Sequence, residues 1–119
     1  MTDFAKLNTE LFTTSKKIAE KSNEIESARG EYLAAKDIYE RDYSMALLTT
    51  KTKNPEMTQS EIKAEAICQV YETKLAMRVK EATYRRLMSE LRNLNTMLES
   101  LTEVSYNARV EFKNTGKSY

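Results

Sequence analysis

Leu87, Leu91, Leu94, Leu98 and Leu101 alternate in steps of four and three. This is the spacing of a helix that buries one narrow stripe against another helix. Upstream, Phe4, Leu7, Leu11, Ile18, Ile25, Ala28, Tyr32, Ala35, Tyr39 and Ala46 fall in a heptad register, with Thr14, Lys21 and Asp42 filling the gaps. The pattern predicts a single all-α domain. A helix over 3–50, a tip at 51–57 and a helix over 58–113 would fold back as a long antiparallel two-helix hairpin, with 114–119 as a mobile tail.

Local signals set these limits. Thr2 or Asp3 is suited to cap the first helix. Ser22, Asn23, Ser27 and Gly30 weaken its middle, where a bend or a break is expected. Pro55 cannot continue the helix and pushes Asn54 out of helical geometry. Thr58-Gln59-Ser60-Glu61 reads as a capping box that starts the second helix, with Met57 and Ile62 at the two positions of a hydrophobic staple. That helix carries Ile67, Tyr71, Leu75 and Ala82, then moves its stripe to Tyr84 and the leucines and on to Ala108 and Phe112, a phase change resembling a stutter. Gly116 is the expected left-handed cap at its end.

A tip at 51–57 makes paired positions sum to roughly 109. Ile18 is then expected beside Leu91, Leu11 beside Leu98, Ile25 beside Tyr84, Tyr32 beside Met77 and Tyr39 beside Tyr71. Helices of these lengths would be rods of roughly 70 and 85 Å sharing one seam. Leu33, Tyr43, Leu47, Leu48, Val70, Val79, Met88, Met97 and Val104 would stay off that seam. Self-association is the expected remedy, with Leu47, Leu48, Val70, Val79, Met88 and Met97 as oligomer or partner contacts.

Composition narrows the chemistry. Two glycines and one proline in 119 residues, with 31% charged, suit long helices. Nineteen basic and eighteen acidic residues leave a formal charge of +1, so nucleic-acid binding would have to come from local clustering. There is no histidine, which excludes imidazole-based triads and zinc sites. The single cysteine, Cys68, has no candidate base and reads as a small core or interface residue. No cofactor, metal site or catalytic residue is expected. With no apolar run near ~20 residues, no signal-peptide pattern in MTDFAKLNTELF and no disulfide framework, the expected location is cytoplasmic.

One segment is locally basic. Lys74, Arg78, Lys80, Arg85 and Arg86 stand against Glu81 alone, and Lys74, Arg78 and Arg85 share a helix face near Tyr71 and Tyr84. Cations that track a phosphate backbone beside a stacking ring suit single-stranded DNA. Against this, Glu24, Glu26 and Glu31 of the facing helix would neutralise the strip, and the tyrosines would belong to the core. Lys51, Lys53 and Lys63 make the tip mildly basic.

The segments EYLAAKDIYERDYSMALL, NPEMTQSEIKAEA and EATYRRLMSELRNLNTMLESL resemble small helical proteins of tailed phages, encoded among early recombination and replication genes. The chain is also distantly similar to UvsY-type recombination mediators. The resemblance to the phage proteins covers about residues 30 to 105. It implies a non-enzymatic accessory protein of DNA recombination or replication in an infected host cell, binding single-stranded DNA or a recombinase as a homo-oligomer. The competing expectation is a pure protein-interaction module, either an inhibitor of a host enzyme or a coiled-coil adaptor. A prefoldin-type chaperone hairpin fits less well, because no β-hairpin pattern interrupts the helices.

Overall fold

The computed structural model describes residues 3–117, and the side chains up to residue 114. It is all-α: α1 spans Phe4–Lys53, α2 Gln59–Gln69 and α3 Tyr71–Lys117. Asp3 caps α1, its carboxylate accepting from the Lys6 amide at 3.1 Å. α1 passes through Ser22–Gly30 without a break. A Cβ built on Gly30 would meet nothing within 4 Å, so no crowding demands glycine there.

The capping box at the tip forms as expected. Thr58 adopts extended angles, its hydroxyl accepts from the Glu61 amide at 3.3 Å, and the Glu61 carboxylate accepts from the Thr58 amide at 3.3 Å. Two of the donors that a helix start leaves without intrahelical partners are thereby satisfied.

Two expectations about the second helix need correction. The helix is interrupted at Val70, which leaves helical geometry at φ −108° and ψ 22°. The Val70 carbonyl still accepts from the Lys74 amide at 3.0 Å and also accepts from the Thr73 hydroxyl at 2.9 Å. At the far end α3 continues to Lys117, not 113, and no glycine among the described residues has positive φ. Gly116 is therefore not a left-handed cap. Of the expected tail, 114–117 are helical and 118–119 lie outside the described residues.

The chain divides into two compact units. In the terminal unit, α1 up to Ile25 runs antiparallel to α3 from Leu87 onward. Leu7, Ile25, Leu87 and Ala108 are buried, and Leu91, Leu94, Leu98 and Leu101 are half-buried along the same seam. Thr14 and Lys21, the polar residues in that seam, find partners across it. The Thr14 hydroxyl donates to Met97 Sδ at 3.9 Å, and Lys21 pairs with Glu90 at 2.8 Å. Phe4 and Phe112 meet edge to face at 6.1 Å.

The tip unit, Glu26–Arg86, folds back through the turn at Asn54–Thr58. Its core is Ala46, Ala66 and Val70, with Tyr39, Tyr43 and Leu47 packed against it. Thr50, only 1% exposed, accepts from the Gln69 side chain at 3.2 Å, so its buried hydroxyl does not go unsatisfied.

Candidate interaction surface

The packing in the tip unit sets what faces outward. Ala46, Ala66 and Val70 form one buried cluster, so Val70 faces inward. Tyr71 follows one position later, just past the interruption at Val70, and points out. Tyr71, Leu75 and Val79 are 60%, 50% and 56% exposed. Tyr71, Leu75 and Ala82 are therefore not seam residues, contrary to the sequence reading. Val70, Thr73, Met77, Glu81 and Tyr84 line the packed side instead.

The cross-helix pairs change accordingly. Tyr32 stacks on Tyr84 at 6.1 Å and donates its hydroxyl to Glu81 at 3.0 Å, rather than meeting Met77. Tyr39 stacks on Tyr43, one turn away on α1, at 5.8 Å, rather than on Tyr71. Lys21 faces Glu90 and Thr14 faces Met97, two positions beyond the expected register. The physical reason is the tip. α1 runs to Lys53 and α2 begins at Gln59, so the fold-back point lies later in the chain than residues 51–57 imply.

The outward stripe has basic neighbours. A step of four keeps Tyr71, Leu75 and Val79 on one side of α3, and Lys74 and Arg78 lie beside them. Arg78 is exposed and Lys74 half-buried, and neither makes an ion pair among the described residues. Arg85 is 76% exposed and reaches Glu81 at 3.6 Å, while Lys80 reaches Glu31 at 3.2 Å. Arg86 is not free either. Of the acidic residues expected to neutralise the strip, Glu31 does so at Lys80, whereas Glu24 pairs with Lys21. Such exposed pairs are worth little in water and exchange readily. The expected nucleic-acid strip is thus split, with Lys74 and Arg78 next to an apolar stripe and Lys80 and Arg85 each facing a carboxylate.

Two protonation equilibria register these contacts. The hydrogen bond to Glu81 is the main reason the Tyr32 hydroxyl titrates above its ordinary range. The hydrogen bond to Glu90 is the main reason the Lys21 ammonium does so.

The expected partner contacts divide into three groups. Val70 is buried and belongs to the protein's own interior, and Leu47 is half-buried, packing partly on the core of the tip unit. Met88 is half-buried. Leu48, Val79 and Met97 are 69%, 56% and 52% exposed. Cys68 is exposed, not a core residue. Sequence reasoning missed the stripe because Tyr71 and Leu75 look like seam residues. The signal that would have found it is the competing series Val70, Met77 and Tyr84, which continues at the same interval of seven into Leu91 and Leu98.

Among the described residues, no cluster of acidic or sulfur ligands is arranged to hold a metal, and no helix is long and apolar enough to cross a membrane. No protein family, curated protein or solved structure matches the chain.

Proposed function

We propose that this protein is a protein-interaction module, binding another protein through the outward stripe of α3 and performing no catalysis. The observation that supports this is the exposure of Tyr71, Leu75 and Val79 together on one side of a helix. Contiguous apolar surface rimmed by polar groups costs free energy in water and is relieved when a partner covers it. Leu75 and Val79 offer nothing to a base or a phosphate, so the stripe suits an apolar protein surface better than a nucleic acid.

A second reading is single-stranded DNA binding by an oligomeric accessory protein of phage recombination or replication. It is favoured by Tyr71 standing exposed beside Lys74 and Arg78. The carboxylates beside Lys80 and Arg85 weaken it only slightly, because exposed pairs exchange readily.

One pair of measurements separates the two. Affinity capture from the source cells should retain a partner with the wild-type chain and lose it with Leu75→Glu and Val79→Glu combined. A single-stranded oligonucleotide should show no binding at low salt. Oligonucleotide binding that weakens with salt, at a log–log slope of ~0.7 per phosphate contact, would make the second reading the stronger one.

A further inference from the structure

We infer that the tip carries a second docking groove, which takes an acidic segment of another protein anchored by aliphatic side chains. The groove encloses about 430 Å³ between the last turns of α1 and the first turns of α2. Leu47, Leu48, Met57 and Ile62 form its apolar wall. Leu48 is 69% exposed, and the staple residues Met57 and Ile62 are half-buried, so the wall presents carbon to water.

Charge selects the occupant. Lys51 and Lys63 also line the groove, and no carboxylate does. Both lysines are exposed, and neither makes an ion pair among the described residues. Lys51 stands in the last turn of α1, where the negative end of the helix dipole already holds a cation in place. An apolar wall with uncompensated cations complements a segment that alternates aliphatic and carboxylate side chains.

The site is also preformed. The Thr58–Glu61 capping box fixes the entry into α2, and the Met57 amide donates to the Asn54 carbonyl at 3.1 Å. A partner therefore has little of the turn to order on binding, which favours affinity. An oligonucleotide would satisfy the lysines and leave the four apolar residues uncovered.

The groove shares no residue with the α3 stripe, and it rests on the interaction-module reading only in that both make the protein a binder of proteins. The two therefore fail separately. The test uses the full chain and two fluorescent peptides, each with a pair of leucines, one flanked by glutamates and the other by lysines. The glutamate peptide should bind at least about tenfold more tightly than the lysine peptide. Lys51→Glu with Lys63→Glu should invert that preference, and Leu48→Glu should weaken the glutamate peptide while Leu75→Glu leaves it unchanged. Leu48, Lys63 and Leu75 are exposed, so changes there should melt as the wild type does. Lys51→Glu reverses a favourable charge at the end of α1 and should melt slightly lower while staying folded at the assay temperature. Equal binding of both peptides, or none of the glutamate peptide, overturns the proposal. So does tighter binding of a single-stranded oligonucleotide, or of phosphatidylglycerol vesicles, through the same two lysines.

Discussion

The terminal unit and the tip unit are both antiparallel helix pairs, yet they weight large and small residues differently. The terminal unit buries three large aliphatics, Leu7, Ile25 and Leu87, beside the small Thr14, Ser105 and Ala108, with half-buried leucines along the same seam. The tip unit is closed by small residues, Ala46, Ala66 and Thr50, with tyrosines laid over them. Large side chains hold two helices by the apolar area that they remove from water. Small ones do so by letting the helices approach, and close contact leaves little tolerance for added volume. In the tip unit Tyr71, Leu75 and Val79 stand outside the seam and face outward.

Opposite substitutions should therefore injure the two units. Leu87→Ala removes a buried leucine and should cost the protein about 3 kcal/mol. Ala66→Leu adds volume where the alanine is fully buried, and should cost about 2 kcal/mol. Chemical denaturation of both variants checks this. A neutral Ala66→Leu would mean that the helices have room to spare at this contact.

Smaller effects sharpen the picture at the tip and in α1. Thr58→Ala removes one side of the capping box and should cost about 1 kcal/mol, with Thr58→Asp retaining most of the stability. Unchanged melting in Thr58→Ala would show that the box does not hold the turn. Gly30→Ala should stabilise by about 0.5–1 kcal/mol, because α1 is helical there and the added methyl meets nothing. A loss of stability would instead show that α1 needs to bend at this point.

These cases show where the sequence was legible. The capping box, the helix starts and the leucine seam each rest on residues with one physical use, and the structure has them where the pattern puts them. The seam of the tip unit was not legible. Alanine fits a seam and a surface equally well, and tyrosine buries its ring while wetting its hydroxyl. Tyr71 and Leu75 therefore outweighed Ala66 and Val70 in a reading by hydrophobicity. The interruption at Val70 was equally hidden, because a single residue between two good helical segments leaves only the phase change seen further along. The basic strip was visible as charge, but which cations face carboxylates depends on the register. Lys80 meets Glu31 only in the register that the structure adopts.

Tyr71, Leu75 and Val79 can meet a partner only if their side of α3 faces away from α1 in the tip unit. A photo-crosslinking amino acid placed singly at position 75 or position 77 tests this in the source cells. Met77 is on the packed side and Leu75 on the outward one. Position 77 should crosslink within the chain to α1, and position 75 should crosslink to a different protein. A crosslink from position 75 to the chain's own α1, or none to any other protein, would show that this side of α3 is not a docking surface.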